Sequence, residues 1–68
     1  MRKVEVTLEH GPEGDWWVNS PEAVGFFAIG ESREEALENA REALALFLDV
    51  EEDSIELEII EEKELGET

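Results

Sequence analysis

The chain contains no cysteine, and this absence removes several classes of chemistry at once. Disulfide bridges, thiolate nucleophiles and cysteine metal sites are excluded, and a small secreted scaffold held by disulfides is not expected. The chain is 68 residues long, which suffices for one small domain and leaves no room for a second. We therefore expect a fold that is held together by side-chain packing alone.

Basic side chains are also scarce. Five Lys and Arg residues stand against twenty Asp and Glu residues, so the formal net charge is −15 at pH 7. Proteins that bind nucleic acid directly do so largely with cationic side chains that release counterions from the phosphates. We therefore expect no direct nucleic-acid binding and no binding to an anionic membrane surface.

Long apolar runs are missing as well. No segment approaches the ~20 apolar residues of a membrane span, and the basic start at residues 1–3 is not followed by the apolar segment of a signal peptide. These features favour a cytoplasmic protein.

Apolar residues make up 41% of the chain and fall in periodic groups, which favours a folded domain over an acidic disordered tail. Residues 3–9 alternate strictly between apolar and polar, which predicts a half-buried strand. A turn with two glycines and a proline leads to a second, aromatic strand at 16–19. Residues 26–29 predict a third, short strand, and the alternation at 54–61 predicts a fourth.

The segment between the third and fourth strands predicts a helix. Ser32 and Glu35 have the spacing of a capping box, in which the Ser32 hydroxyl accepts from the Glu35 amide and the Glu35 carboxylate accepts from the Ser32 amide. Apolar residues then recur at helical spacing as far as 48–50. The predicted fold is α+β in the order β-β-β-α-β: an antiparallel three-strand meander, a fourth strand that is parallel to the first if the two pair, and one helix on one face. We place the domain at 1–62 and a flexible tail at 63–68.

A single helix covers only one face of a four-strand sheet, so the other face is expected to be open. Because side chains alternate along a strand, one of the two adjacent tryptophans should enter the core and the other should lie on the open face. A domain this small has little stability to spare, so we expect a homodimer or a dimer of dimers. The interface candidates are Trp16, Trp17, Phe26, Phe27, Glu5, Glu56 and Glu58.

Four segments of the chain resemble the HicB-like antitoxin family. They are GDWWV at 14–18, SPEAVG at 20–25, GES at 30–32 and EALENAREAL at 35–44. The resemblance covers roughly residues 1–61, and its helical segment is the most specific part. The chain departs from the family pattern at Val24 and Phe26, where the family has a proline and a cysteine.

The resemblance implies a partial ribonuclease H-like fold and binding to a small basic RNA-cleaving toxin of the HicA type, whose active surface the antitoxin covers. It implies a short member of the family without a C-terminal DNA-binding module, so we expect no operator binding. An acidic surface suits a basic partner, because opposite charges speed encounter. Two alternatives stay open: the glutamates only confer solubility, or the chain is a stand-alone oligomeric interaction protein without a toxin.

Catalysis is not expected. His10, the only histidine, lies beside Glu9 just before a turn with no nucleophile in sight, which favours a surface histidine. A ribonuclease H-like nuclease would hold two metal ions between carboxylates. The carboxylates available on three elements are Glu5 or Glu9, Glu35 or Glu38, and Glu56 or Glu58. In so acidic a chain such a set is expected by chance, so we predict no enzyme activity, no metal and no cofactor.

Overall fold

Four strands and one helix make up the fold of residues 1–64, which are the residues that the computed structural model describes. The elements are β1 (Arg2–His10), β2 (Trp16–Asn19), β3 (Phe27–Gly30), α1 (Arg33–Leu48), a 3-10 turn at Glu52–Ser54, and β4 (Ile55–Glu64). The strand order in the sheet is β3-β2-β1-β4. The β1–β2 and β2–β3 pairs are antiparallel and the β1–β4 pair is parallel, so the sheet is mixed. The predicted α+β class, with one helix and a four-strand sheet, is confirmed.

The second strand covers only part of the first. It pairs with β1 from Thr7 to His10, so the earlier part of β1 has no strand on that side. The loop at 20–26 takes its place: the Ser20 hydroxyl donates to the Glu5 carbonyl at 2.7 Å, and the Glu5 amide donates to the Glu22 carboxylate at 3.0 Å. The amide and the carbonyl of Glu5 are therefore satisfied where β2 ends.

The core lies between the sheet and the helix. It is formed by apolar side chains that point to the same face of three strands and by the inner stripe of α1. The fully buried members are Val4, Val6, Leu8, Val18, Ala36, Ala40, Leu44 and Ile55. The alternation in β1 and the helical spacing in α1 thus meet on one face, as the sequence pattern predicts.

Small residues bring α1 close to β3. A Cβ atom added at Gly30 would lie only 2.4 Å from the amide nitrogen of Ala36, so no larger residue fits there without moving the helix. The Asn39 side chain donates to the Ile29 carbonyl at 2.9 Å. The helix is consequently anchored over β3 and contacts β4 much less.

The helix begins at the predicted cap, with one difference. The Ser32 hydroxyl accepts from the Glu35 amide at 3.1 Å, as predicted. The Glu35 carboxylate, however, accepts from the amide of Glu31 at 2.7 Å and not from Ser32. Ser32 is extended, with φ −140° and ψ 164°, and the carboxylate reaches the amide one residue further back. At the other end Asp49 closes the helix in the left-handed region, with φ 59°.

The ends of the third and fourth strands differ from the prediction. β3 starts at Phe27, because Phe26 lies in the preceding turn, where its amide donates to the Ala23 carbonyl. β4 continues to Glu64, since it pairs with the whole of β1, from Arg2↔Ile55 to His10↔Glu64. The predicted boundary of the tail at residue 63 is therefore wrong, and residues 65–68 lie outside the described residues. Within residues 1–64, no helix has the length and apolar character needed to cross a membrane.

Candidate binding surfaces

The face of the sheet opposite the helix, which we call the open face, is exposed and chemically divided. Alternation along the strands and the strand pairing place two kinds of side chain on it. Those of β2 and β3 are mainly apolar, whereas those of β1 and β4 are mainly acidic. The exposed apolar residues of the open face are Trp17, Phe27 and Ile29. Its acidic residues are Glu5, Glu9, Glu56, Glu58 and Glu61.

Trp17, Phe27 and Ile29 form the apolar patch. Trp17 is paired with Ile29 across the strands, and its ring centroid lies 6.3 Å from that of Phe27. The three residues are 42%, 59% and 43% exposed, although each is a large hydrophobic residue. Contiguous exposed apolar groups of this kind are typical of interaction surfaces. Of the other exposed apolar residues, Leu46 and Phe47 belong to α1 and Val24 belongs to the 20–26 loop, whereas Ile60 belongs to β4 at the other edge of the sheet.

Glu5, Glu9, Glu56, Glu58 and Glu61 form the acidic patch. Glu5 and Glu58 are direct partners in the parallel β1–β4 pair, so two like charges stand side by side. Lys3 is the partner of Glu56, and the Lys63 ammonium lies 3.8 Å from the Glu61 carboxylate. The patch therefore has more carboxylates than cations, and its excess charge lies on an exposed face.

The irregular pairing of β4 extends this patch. Ile59 is the partner of Val6 and Glu61 is the partner of Thr7, so Ile60 is an extra residue in β4. Beyond this bulge the alternation is shifted by one residue, which puts Glu61 on the open face and Glu62 on the helix side. In a strand without the bulge, Glu62 would lie on the open face and Glu61 would lie on the helix side.

Trp16 and His10 lie on the helix side of the sheet. Trp16 packs against the core, and the His10 ring stacks on it with a centroid distance of 4.0 Å and an interplanar angle of 7°. The His10 Nδ1 atom lies 2.6 Å from the Glu64 carboxylate. His10 is thus the last residue of β1, held by an aromatic neighbour and a carboxylate, and its predicted position outside the strand is wrong.

Five of the seven interface candidates lie on the open face: Trp17, Phe27, Glu5, Glu56 and Glu58. Trp16 is on the helix side. Phe26 is only 8% exposed, and its ring meets that of Phe47 at 6.2 Å, so it is not accessible to a partner. Sequence reasoning missed Ile29 and Glu61. The alternation within 27–30 pointed to Ile29, whereas nothing in the sequence signals the bulge that exposes Glu61.

The carboxylates considered for a two-metal centre are separated by the sheet. Glu5 and Glu58 point to the open face, whereas Glu35 belongs to α1 on the opposite face and accepts from a backbone amide. Among residues 1–64, no group of three or more His, Asp or Glu side chains is placed to hold a metal ion. The chemistry that this arrangement offers is recognition by charge and apolar contact.

An ion pair joins the start of the helix to β4. The Arg33 guanidinium donates to both carboxylate oxygens of Glu62, at 3.1 Å each. The hydrogen bonds, together with the positive charge, lower the pKa of Glu62 below its ordinary value and raise the pKa of Arg33. Both side chains are more than two-fifths exposed, at 44% and 42%, so the pair is a surface interaction.

Comparison of the chain with family models, with curated proteins and with solved structures gives no match.

Proposed function

We propose that the protein is a HicB-like antitoxin domain that binds a small basic RNA-cleaving toxin of the HicA type and neutralises it by protein–protein contact. The single observation that carries the proposal is the acidic patch, in which Glu5 and Glu58 stand side by side on an exposed sheet face. The sequence resemblance between residues 14–44 and the family supports the choice of partner.

The acidic patch has a physical cost that a basic partner would remove. Like charges placed directly opposite each other on neighbouring strands destabilise a sheet, by an amount on the order of 0.2–1 kcal/mol per pair. A toxin surface that attracts RNA phosphates also attracts these carboxylates, and the opposite charges speed the encounter of the two proteins. Binding then covers the toxin surface that RNA would occupy.

The apolar patch supports self-association as the second part of the proposal. β3 forms one edge of the sheet, and none of its side chains is charged. β4 forms the other edge and carries six charged side chains, five of them glutamates, which oppose edge-to-edge pairing. A second copy of the chain therefore covers the apolar patch, and the acidic patches of both copies stay free for the toxin.

A function of a different class has one observation in its favour. The apolar patch is sufficient for a stand-alone oligomeric interaction protein that has no toxin. The two functions differ in their genetic context, because an antitoxin is expected to have a short neighbouring gene that encodes a basic protein. The absence of such a gene would favour the stand-alone protein.

The experiment is co-expression with the product of the neighbouring gene, followed by affinity pull-down, measurement of Kd and a test of RNA cleavage. The informative variant is E5K/E58K, which reverses the charge of the patch but keeps a like-charged pair and so keeps the stability of the sheet nearly unchanged. The control is E13K/E42K, which changes the net charge equally at exposed residues outside the open face.

We expect the toxin to bind and its RNA cleavage to stop, with affinity about tenfold or more weaker for E5K/E58K and little changed for E13K/E42K. Affinity should also fall as the salt concentration rises towards ~1 M, where the screening length is only ~3 Å. Equal effects of the two variants, or binding that is indifferent to salt, would refute the role of the acidic patch. If the neighbouring product neither binds nor is neutralised, the antitoxin function itself is wrong.

A further inference from the structure

One helix is too narrow to cover four strands. Neighbouring strands lie ~4.8 Å apart, so the outer strands of the sheet are separated by roughly 14 Å, whereas a helix with its side chains is ~10 Å across. Because Gly30 and Asn39 anchor α1 over β3, the uncovered strip lies over β4.

The burial of paired residues shows this strip directly. Val4 and Val6 of β1 are fully buried under the helix. Their partners on β4 are Leu57 and Ile59, which point to the same face but are only half-buried. The step from full to partial burial between adjacent strands marks the point where the cover of α1 ends.

A groove of about 780 Å³ runs between α1 and β4 in this position. Its apolar lining consists of Met1, of Leu37 from the helix, and of Ile55, Leu57 and Ile59 from the strand. The Arg33–Glu62 pair joins α1 to β4 beyond one end of the groove, and at the other end the Arg41 guanidinium lies 3.7 Å from the Glu52 carboxylate. The first pair joins the helix to β4 and the second joins it to the 3-10 turn before β4, with the apolar floor between them.

The rim of the groove is acidic. Glu34 and Glu38 line it from the helix, and Asp53 and Glu56 line it from the side of β4. Arg41 is the single cation among the lining residues, and its guanidinium already faces Glu52. A ligand for this groove therefore needs an apolar surface for the floor and positive charges for both walls.

We propose that the groove binds a cationic amphipathic helix from another protein, with its apolar stripe on Leu57 and Ile59 and its Lys or Arg side chains on the glutamates of the rim. An amphipathic helix presents an apolar stripe flanked by charged side chains, as the apolar floor and the acidic rim require, and helices that lay an apolar face into a groove are a recurrent mode of recognition. The lining residues of β4 run from Ile55 to Ile59, which corresponds to ~13 Å of strand, so about two turns of the ligand are in contact.

A second copy of this chain does not fit the groove. Its own helix carries four carboxylates against two guanidiniums, and the whole chain has a net charge of −15. The acidic rim repels such a partner, whereas it attracts a basic one. The floor of the groove lies on the helix side of the sheet, and Glu56 is the one residue of the acidic patch that also lines the groove, so this inference does not depend on the proposed function.

The test uses a fluorescein-labelled synthetic peptide of about 16 residues in which leucines recur at helical spacing and all other positions are Lys, Arg or Ala. A scrambled peptide of the same composition, whose leucines do not share a face, is the control ligand. Fluorescence anisotropy with the full chain should show the amphipathic peptide binding about tenfold or more tightly than the scrambled one. Equal affinities would mean attraction to the overall charge only and would overturn the proposal.

Two matched variants locate the binding. E34K/E38K reverses the helix wall of the groove, and E31K/E42K makes the same change in net charge at exposed residues that do not line it. Each pair includes one residue near the start of α1, so the effect on the helix dipole is comparable. We expect about tenfold weaker binding for E34K/E38K and less than about threefold for E31K/E42K. Equal losses would contradict a site in the groove.

Amide chemical-shift mapping on the unmodified chain keeps the test independent of any variant. Addition of the amphipathic peptide should shift the resonances of Leu37, Leu57 and Ile59. Shifts confined to Trp17, Phe27, Glu5 and Glu58 would place the peptide on the open face and overturn the proposal.

Discussion

The two edges of the sheet differ in length, charge and neighbours. β3 is four residues long and has no charged side chain, whereas β4 is ten residues long and has six. A long exposed edge is a template for unwanted strand pairing, and repeated charge is a common protection against it. A four-residue edge offers few backbone groups, so it tolerates exposed apolar residues. The sheet thus has one short apolar edge and one long acidic edge.

The helix side of the sheet shows the same asymmetry. At β3 the helix approaches so closely that only glycine fits at position 30, whereas at β4 it leaves a groove. The position of the one helix therefore decides where the core ends, because Ile55 of β4 is buried whereas Leu57 and Ile59 of the same strand are only half-buried.

The largest expected effect concerns the close contact at β3. Gly30→Ala places a Cβ atom 2.4 Å from the Ala36 amide nitrogen, so the helix must move and core contacts are lost. We expect a loss of about 3 kcal/mol in the free energy of unfolding, measured by urea denaturation. The control is Gly11→Ala, where the nearest atom is 3.4 Å from the new Cβ, and it should cost less than about 1 kcal/mol. Similar costs at both glycines would show that α1 is not fixed over β3.

The next effect concerns the apolar patch. Replacing Trp17 and Phe27 together by serine removes the two largest exposed side chains of the patch. The dissociation constant of the self-associated form should therefore rise about 100-fold. Sedimentation velocity at micromolar concentration measures it. The matched control, Leu46→Ser with Val24→Ser, removes exposed apolar groups that lie outside the sheet and should leave association unchanged. An unmodified chain that is a stable monomer at this concentration would refute self-association.

A smaller effect distinguishes two positions on β4. Glu58→Lys turns the like-charged pair with Glu5 into an opposite-charged one and should stabilise the fold by about 0.5 kcal/mol. Glu56→Lys places a lysine opposite Lys3 and should destabilise it by a similar amount. Thermal unfolding at low salt measures both changes. If both substitutions shift the melting temperature in the same direction, the net charge and not the pairing register determines their effect on stability.

The smallest effect belongs to the surface pair at the start of the helix. The pKa of Glu62 in the folded chain is lowered below its ordinary value of 4.5. The stabilisation by Arg33 is therefore fully present above pH 4.5 and is lost as the pH falls through the lowered pKa. Arg33→Gln should therefore lower the melting temperature slightly at neutral pH and have no effect in strong acid or at high salt. A difference that persists in strong acid would mean that Arg33 acts through packing.

The strands and the helix follow largely from the sequence, but the binding surfaces follow only in part. The alternation in β1 and the cap at Ser32 are local signals, and both agree with the structure. Trp17 and Phe27 were candidates because side chains alternate in a strand. Phe26 was a wrong candidate, since its burial depends on the turn before β3 and on Phe47, which is distant in sequence. The groove was not predicted at all, because the pattern of α1 shows which stripe is apolar but not over which strands it lies.

Thus the sequence alone determined the class of the fold, the inner stripe of the helix, the alternation of the two tryptophans and the excess of negative charge, because periodicity and composition are local properties. The tertiary structure decided the rest. Pairing with the whole of β1 carries β4 to Glu64, past the last apolar residue of the alternation, and inserts the bulge at Ile60. The contact of Gly30 with Ala36 sets the helix to one side. The pairing of β1 with β4 joins segments that are far apart in the sequence, and the contact of Gly30 with Ala36 forms only when α1 packs back onto the end of β3, so neither exists before the chain has folded.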